Sequence, residues 1–578
     1  MKSEKNQQSW RYPARWQFFR FDDRLLLIVL GAVVGIVAGL AALALNMGLA
    51  ALLHFFQAWR AFWWSWLIPA GGAALSALFL LKIAKEEQGH CVPEVVDSVS
   101  RYGGRMRLRS SFSRLISSCL TIGSGGSAGP EAPVVMSGAA IGSNIARVFS
   151  LNDRQRVSLL GCGTAGAIAS IFNAPIAGLV FTIEVIIGEW SARNIVPIAV
   201  AAVAGAQVSR FFRGDQIAFT HLQFSVDLID ILACLGLAVF AAAASVLLTR
   251  ALRYSHQVSH RVVRLPLWGR AAVGGAAVGV IGLFLPDVLG EGYHVIAEIV
   301  EGAFMKGLGL IALLVFAKIA ATSLTLGWGG SGGVFAPCLV IGSFTGLLYH
   351  HIITAVWPSV SWAQGGFFAL MGMAGLVSGI LQAPLTGIFL IVEITGGYDV
   401  ILPLILVAAV ATSVCNAFEP ASYYYRDLME KGHYRPPRTD ARVLADISVR
   451  EVLETDCIVV PQSMKLGDFV AIVQKSHRNF FPVVDDATGE FLGMIHLDDI
   501  REYIFDPLLH ETVFLEQITD TGVETVDPDA DLTDVLDRMD AQRLFSMPVV
   551  AEKRFVGMIS KATLLDKYRR ELMVQAQI

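Results

Sequence analysis

The chain has 578 residues, of which 54% are hydrophobic and only 16% are charged, and its mean hydropathy is +0.57. Soluble proteins carry about 25% charged residues, so this composition excludes a protein that is soluble throughout. The net charge of -4 excludes the basic surface that binding to nucleic acid requires. The seven cysteines are scattered and never form a CxxC pair, which argues against a disulfide framework or a zinc site.

Residues 1–24 form a polar segment ahead of the first apolar run. Its charged side chains are Lys2, Lys5, Arg11, Arg15, Arg20 and Arg24 against Glu4, Asp22 and Asp23. An excess of basic residues marks the cytoplasmic side of a membrane span, so we expect a cytoplasmic N-terminal segment over residues 1–24. The following apolar run is longer than the about 7 to 15 residues of a signal-peptide core, so no cleavable signal is predicted.

Long uncharged stretches then predict membrane helices. Residues 25–59 and 61–81 contain no Asp, Glu, Lys or Arg, and residues 319–392 run for 74 residues without one. A helix crosses a bilayer in about 20 apolar residues, so these stretches predict a polytopic α-helical membrane domain over residues 25–432. Charged residues become frequent after it, which predicts a linker over 433–445 and a soluble domain beyond. Placing that domain in the cytoplasm with the N-terminus requires an even number of crossings.

The membrane domain contains an internal repeat. Two motifs occur twice, in the same order and at nearly the same offset: GGSAGPEAP (125–133) with GGSGGVFAP (329–337), and NAPIAGLVFTIE (173–184) with QAPLTGIFLIVE (382–393). This predicts two related halves, at about 25–215 and 225–420. Repeats of this kind are typical of transporters whose substrate site lies between the halves, near the middle of the membrane.

The GPEAP and GVFAP loops each predict a helix that begins inside the membrane. Glycine permits a tight turn, and proline is tolerated in the first helical turn because its missing amide would have no partner there. Such a helix start presents unpaired N–H groups and a partial positive charge, which together favour an anion. Between Leu115 and Ala146 the only charged residue is Glu131, and partial charges without a fixed cation allow an anion to leave again. The alternative is that these glycines serve close helix packing alone.

Glu131 is the single residue in the sequence that is most informative about function. A carboxylate in an apolar membrane helix costs about 2.5 to 3.5 kcal/mol or more unless something compensates, so it suggests a function. The amides that would compensate it are those that would bind a permeating anion. Glu131 is therefore predicted to compete with the anion and to act as a gate, a proton carrier or both; the alternative is a helix cap without a role in transport.

With these motifs the sequence resembles the CLC family of chloride channels and proton-coupled chloride transporters over nearly its whole length. Three family motifs have counterparts here: GREGP in Gly129-Pro130-Glu131-Ala132-Pro133, GxFxP in Gly333-Val334-Phe335-Ala336-Pro337, and GSGIP in Gly89-His90-Cys91-Val92-Pro93. The resemblance implies a homodimer with one pore per subunit and a fold of two inverted repeats with many tilted or partial helices.

The resemblance also implies roles for single residues. Glu131 would be the gating and proton-accepting residue. The anion-binding residues would be His90, Gly129, Val334, Phe335 and Tyr424. Tyr424 is the best match to the pore tyrosine of the family, although Tyr423 and Tyr425 are adjacent alternatives.

Three departures from the family pattern bear on mechanism. Pro130 replaces an arginine and removes one amide donor, and His90 stands where chloride-type members have serine, either as an anion donor or as a packed neutral ring. Proton-coupled members have a second glutamate after the one that matches Glu184, and here that relay position is Val185. Since Glu184 has a repeat counterpart in Glu393, a structural role is favoured for both.

The soluble region holds a second, shorter repeat. Residues 480–500 resemble residues 545–565, and each reads as a strand, a turn, a strand and the start of a helix. The pair resembles a tandem cystathionine-β-synthase (CBS) module, placed over residues 446–572, with α/β structure. CBS modules often bind adenine nucleotides, for which Asp499 and Thr563 are the candidate residues; the alternative is a structural domain that assists dimerisation.

The sequence therefore predicts passive chloride transport through a dimeric, Glu131-gated channel of the cell (inner) membrane, with the CBS pair as a regulator. The alternative is a proton-coupled antiporter for chloride or another anion that uses Glu131. A third hypothesis, a nucleotide sensor anchored by the membrane domain, explains neither of the intramembrane helix starts. No nucleophile–base pair, Walker loop or metal-ligand spacing predicts an enzyme. The expected partners are a small anion, the lipid bilayer and a second copy of the chain, with no cofactor apart from the candidate nucleotide.

Overall fold

The computed structural model describes the chain in segments. They are residues 23–59, 62–86, 91–214, 224, 226–262, 265–430 and 447–576. The chain divides into two compact units, Met1–Tyr434 and Arg435–Ile578. The predicted linker over 433–445 lies outside the described residues, as does almost all of the predicted segment over 1–24.

The described part of the first unit is built from helices. They are α1 (Asp23–Gln57), α2 (Leu67–Leu78), α3 (Cys91–Arg101), α4 (Ser113–Gly123), α5 (Glu131–Val148), α6 (Asp153–Phe172), α7 (Pro175–Phe181), α8 (Ala192–Arg213), α9 (Leu228–Val262), α10 (Leu267–Phe284), α11 (Tyr293–Val300), α12 (Leu308–Gly327), α13 (Phe335–Val356), α14 (Gly365–Leu381), α15 (Pro384–Thr395), α16 (Ile401–Phe418) and α17 (Tyr423–Glu430). Short π-helical turns, Phe79–Ala84 and Thr182–Ile187, continue α2 and α7. Among the described residues, eight helical segments are long and apolar enough to cross a bilayer.

The same helix crossing occurs in both halves, which confirms the internal repeat. α5 packs against α6 where Gly138 meets Gly163, and α13 packs against α14 where Gly342 meets Gly372. A Cβ on Gly138 would lie 2.2 Å from the carbonyl oxygen of Gly163, and one on Gly342 would lie 2.7 Å from that of Gly372. These backbones touch, so a side chain at either crossing would force the helices apart.

A break in the chain follows α6 and recurs after α14. Asn173 and Gln382 adopt left-handed conformations, with φ of 56° and 54°, and so end the two helices. Pro175 and Pro384 then open α7 and α15 in the first helical turn, where proline is tolerated. The N–H groups at these two helix starts need acceptors from elsewhere.

Those acceptors are the glutamates that close the opposite repeat motif. Glu184 accepts hydrogen bonds from the backbone N–H groups of Leu385 (3.2 Å) and Thr386 (2.8 Å). Glu393 accepts from those of Ile176 (3.0 Å) and Ala177 (2.7 Å). Each half thus caps a helix of the other half, which supports a structural role for both glutamates.

The second unit has its own strands and helices. They are β1 (Val460–Pro461), α18 (Leu466–Val473), β2 (Phe480–Val484), β3 (Phe491–His496), α19 (Arg501–Ile504), α20 (Leu532–Ala541), β4 (Ser546–Ala551), β5 (Arg554–Ser560) and α21 (Lys561–Ala576). β2 pairs antiparallel with β3 and parallel with β1, and β4 pairs antiparallel with β5. Each hairpin packs its alternate side chains into a separate apolar core.

The two repeats of the second unit exchange short edge segments. The backbone of Glu454, ahead of the first hairpin, pairs with Met558 in the second hairpin. The backbone of Asp520, ahead of the second hairpin, pairs with Met494 in the first hairpin. The repeats are therefore joined by reciprocal backbone hydrogen bonds.

Candidate anion site

The two Gly-rich loops of the membrane unit lie side by side. The N–H of Gly129 donates to the carbonyl of Gly333 at 2.8 Å, and the N–H of Gly333 donates to the carbonyl of Gly129 at 2.7 Å. Such an exchanged pair is the pattern of an antiparallel bridge, which has a local two-fold axis. The structure therefore joins the two predicted helix starts at one place.

Buried hydroxyl groups repeat the same two-fold relation. The N–H of Ser127 donates to the hydroxyl of Thr325 at 3.0 Å, and the N–H of Ser331 donates to that of Thr121 at 3.1 Å. All four residues are buried, so these contacts satisfy loop amides that would otherwise be costly to bury. They hold the loops together without placing a charged side chain between them.

The helices begin immediately beyond this contact. α5 starts at Glu131 and α13 at Phe335, and their N-cap residues are Pro130 and Val334, which have no side-chain oxygen to cap the first turn. The first amides of each helix consequently lack an intrahelical acceptor. Pro130 and Glu131 at the start of α5 are buried, as are Val334 and Phe335 at the start of α13, so the positive ends of both helices lie in a buried region.

The carboxylate of Glu131 lies at this meeting point. The residue is 1% exposed, and its Oε2 lies 3.4 Å from the N–H of Ala336 in the first turn of α13. Its Oε2 also covers Gly129, since a Cβ on that glycine would lie 2.0 Å from it. The carboxylate thus occupies the place where the amides of both loops would receive an anion.

A second side chain holds this carboxylate, and the sequence analysis did not predict it. The hydroxyl of Tyr293, the first residue of α11, donates a hydrogen bond to Oε1 of Glu131. The ring of Tyr293 stands edge-on to Phe172, with centroids 6.4 Å apart, and Phe172 also packs against Phe335 at 5.6 Å. The only signal in the sequence is an aromatic residue after the Gly-Glu-Gly turn at 290–292.

The structure distinguishes the three adjacent tyrosines of α17. Tyr424 is 3% exposed and lies within electrostatic range of Cys338 and Glu131. The hydroxyl of Tyr425 donates instead to the carbonyl of Val185, and the ring of Tyr423 packs on that of Tyr424 at 5.7 Å. Tyr424 is therefore the one placed toward Glu131, and its role as the pore tyrosine stays a prediction.

Other predicted residues are less informative. Gly89 and His90 lie outside the described residues, so the predicted anion contact of His90 stays a prediction. Val185 is 1% exposed in the π-helical turn that follows α7, so the predicted relay position is an apolar buried site.

A partly buried glutamate and a fully buried lysine lie near Glu131. Glu291 is within electrostatic range of Glu131 and of Lys318. Lys318 is fully buried in α12, and its ammonium group donates to the carbonyls of Val288 at 3.0 Å and Gly290 at 2.9 Å. A lysine inside an apolar helix is itself a sequence signal for a functional site, and it was overlooked.

In the second unit, the two candidate nucleotide residues have different surroundings. Asp499 is exposed, whereas the hydroxyl of Thr563 donates to the carboxylate of Glu454. Ser560 donates to the same oxygen at 2.5 Å, and Arg478 contacts the other oxygen at 2.5 Å. Burial opposes the charge of Glu454, but these three donors together lower its pKa below the ordinary value. Thr563 is thus already engaged within the chain.

The fold and the paired loops define a polytopic membrane protein with a candidate anion site between two repeated halves. Comparison with known families agrees: residues 71–416 match the voltage gated chloride channel family, and residues 449–506 and 515–570 match the CBS domain. Because the first match covers more than half of the chain, the chain belongs to the voltage-gated chloride channel (CLC) family. The predicted family and the tandem CBS module are both confirmed.

Several relatives and solved structures are similar to the chain. A ClcB-like chloride channel protein of Ralstonia nicotianae is 33% identical over 63% of this chain and 86% of its own length. The chloride channel protein CLC-f of Arabidopsis thaliana is 27% identical over 92% and 79%, and the H(+)/Cl(-) exchange transporter ClcA of Vibrio cholerae is 29% identical over 66% and 84%.

Among solved structures, a slow cyanobacterial Cl-/H+ antiporter has a TM-score of 0.64 at 23% identity, over 72% of this chain and all of its own. A eukaryotic CLC transporter has the same TM-score at 19% identity, over 94% of this chain and 98% of its own. These likenesses confirm the predicted fold class. The chain is a multi-pass membrane protein of the CLC type, and its family transports anions.

Proposed function

We propose that the chain is a proton-coupled antiporter for chloride or a similar small anion, with Glu131 as both gate and proton carrier. One observation carries the proposal: the carboxylate of Glu131 covers Gly129 and faces the N–H of Ala336, where two helix starts meet. The charged carboxylate and a bound anion then exclude each other, because both require the same partial positive charges.

This competition provides a cycle of exchange. A proton neutralises Glu131, which weakens its attraction to the helix starts and lets the side chain leave the site. An anion then takes its place, stabilised by the amides of both helices. When the proton is released on the other side, the charged carboxylate returns and displaces the anion, so that protons and anions move in opposite directions.

The comparisons favour exchange over the passive channel that we expected first. The ClcA relatives are named as H(+)/Cl(-) exchange transporters, and two structural neighbours are described as a Cl-/H+ antiporter and a fluoride/proton antiporter. Chloride is the anion that the names of the relatives mention most, and it is the substrate we propose.

A specific observation keeps the passive channel as a second candidate. The relay position holds Val185, which is 1% exposed and whose carbonyl accepts the hydroxyl of Tyr425. Exchange then requires water to carry protons between Glu131 and the cytoplasm, whereas a Glu131-gated channel needs no such path.

The assembly and its setting are part of the proposal. We infer a homodimer with one pore per subunit in the cell (inner) membrane, with both termini in the cytoplasm and with no enzymatic activity. The CBS pair would act as a regulator. An adenine nucleotide at Asp499 and Thr563 stays a proposal for that pair, and it requires Thr563 to release Glu454.

Reconstitution in liposomes, with anion and proton fluxes recorded together, tests the function. We expect an outward chloride gradient to drive protons inward against their own gradient. Glu131→Ala should abolish this proton flux while anion flux continues, and Glu298→Ala, which removes an exposed carboxylate on α11, should change neither. Chloride flux without proton flux in the unaltered protein would contradict exchange and favour the channel.

A further inference from the structure

We propose that Tyr293 is a positioning residue that latches the charged Glu131 in the anion site and so sets how strongly the gate competes with the anion. The proposal rests on the gating role given to Glu131 above. It adds a residue from outside the repeated motifs to the machinery of the site.

The hydroxyl of Tyr293 is the main polar side-chain contact of the gate. It donates to Oε1 of Glu131, while Oε2 faces the N–H of Ala336 at 3.4 Å, near the outer limit of a hydrogen bond. A hydroxyl donates more strongly to a charged carboxylate than to a neutral carboxyl group. The contact therefore favours the charged, seated form of Glu131 over the protonated form that leaves.

The loop ahead of Tyr293 is held in one position. Gly292 has φ of 87°, and a Cβ there would lie 2.7 Å from the side chain of Val340 in α13. The N–H of Gly290 donates to the carbonyl of Gly125 at 3.2 Å, in the loop that leads to α5. The turn that carries Tyr293 is thus fixed to the segments that begin both helices of the anion site.

Lys318 adds a second anchor to this turn. Its buried ammonium group donates to the carbonyls of Val288 and Gly290, at 3.0 and 2.9 Å, and it lies within electrostatic range of Glu291. Two backbone acceptors and a nearby carboxylate offset the cost of burying the charge. The turn consequently holds Tyr293 in place before Glu131 enters the site. Little conformational entropy is therefore lost when their hydrogen bond forms.

The surroundings of the ring allow the hydroxyl to be tested separately. The ring stands edge-on to Phe172 at an interplanar angle of 89°, a packing that phenylalanine reproduces. Tyr293→Phe then removes one hydrogen bond to a charged group and retains the apolar contact. Removing a bond of that kind should favour the anion in its competition with the gate by roughly 10- to 100-fold.

Chloride titration calorimetry on the purified full-length protein gives the test. We expect Tyr293→Phe to bind chloride at least about 10-fold more tightly than the unaltered protein. In a Glu131→Ala background the same change should have no effect, because there is no carboxylate left to hold. Tyr398→Phe, at an exposed tyrosine, serves as the control and should leave chloride affinity unchanged.

Two results would overturn the latch. An unchanged chloride affinity in Tyr293→Phe would mean that the hydroxyl does not hold the gate. An equal change with and without Glu131 would mean that it acts on the anion or the fold directly. Binding is measured without any flux, so the two proposals can fail separately. Tighter chloride binding in Tyr293→Phe that depends on Glu131, in a protein without proton transport, would refute exchange and leave the role of Tyr293 standing. Proton exchange without that change in chloride affinity would refute the role of Tyr293 alone.

Discussion

The ammonium group of Lys318 lies 2.9 Å from the carbonyl oxygen of Gly290, and this contact connects a buried charge in α12 to the turn that carries Tyr293. A charged side chain inside a membrane helix is costly and is retained where it contributes to function. Here it holds the backbone three positions before Tyr293, the first residue of α11. The charge therefore fixes the loop that carries Tyr293, whose hydroxyl contacts Glu131.

Lys318→Met should loosen this turn. The substitution preserves the volume of the side chain but leaves the carbonyls of Val288 and Gly290 without their donor, at about 1–3 kcal/mol for a buried unsatisfied group. We expect a lower melting temperature in detergent and tighter chloride binding wherever Glu131 is present. Lys82→Met, at an exposed lysine, is the control. Unaltered chloride affinity in Lys318→Met would mean that Lys318 does not influence the competition between Glu131 and chloride.

The α5–α6 crossing should tolerate no side chain at Gly138. An added Cβ would lie 2.2 Å from the carbonyl of Gly163, so Gly138→Ala forces the two helices apart, at a cost of about 1–3 kcal/mol or more. Gly71→Ala is the matched control, because nothing lies within 4 Å of its added Cβ. Fluorescence-detected thermal unfolding should give a lower midpoint for Gly138→Ala and no loss for Gly71→Ala. Equal unfolding midpoints would mean that α5 and α6 can move apart with little loss of stability.

The reciprocal helix caps formed by Glu184 and Glu393 should be structural and should contribute equally to stability. Glu184→Gln and Glu393→Gln each weaken the capping of a helix start in the opposite half, so each should reduce stability by a similar amount, about 0.5–2 kcal/mol. The ratio of chloride to protons transported should stay unchanged in both. A changed ratio in Glu184→Gln alone would instead give that glutamate a part in the proton path.

Much of the candidate anion site could be predicted because its signals are local. Glycine and proline around residues 129 and 333 specify helix starts by backbone chemistry alone, and their recurrence at a constant offset predicts that the two starts are equivalent. The carboxylate at Glu131 is conspicuous because the residues around it are apolar. These features need no knowledge of which distant segments meet.

The remaining parts depend on tertiary packing. Tyr293 contacts Glu131 across 162 positions, and the turn before it has no counterpart among the repeated motifs. The choice among the three tyrosines depends on the rotation of α17, which its packing against α3 and α14 determines. The strands of the CBS motifs followed from their alternation of side chains, but the exchange of Glu454 and Asp520 between the hairpins is a non-local pairing that no short pattern contains.

The CBS unit should lose part of its stability as the pH falls. Burial raises the pKa of Glu454, but hydrogen bonds from Ser560, Thr563 and Arg478 outweigh it and hold that pKa below the ordinary value of 4.5 in the folded state. Folding thus favours the charged form. The resulting stability is fully present above the unfolded pKa and is lost as the pH falls through the folded one.

Thermal unfolding of a fragment spanning 435–578 should give a lower midpoint for Glu454→Gln than for the unaltered fragment at about pH 7, and the difference should shrink toward about pH 3. Glu516→Gln, at an exposed glutamate, is the control. A difference that persists at low pH would assign the effect of Glu454 to packing, because its charge would by then be neutralised.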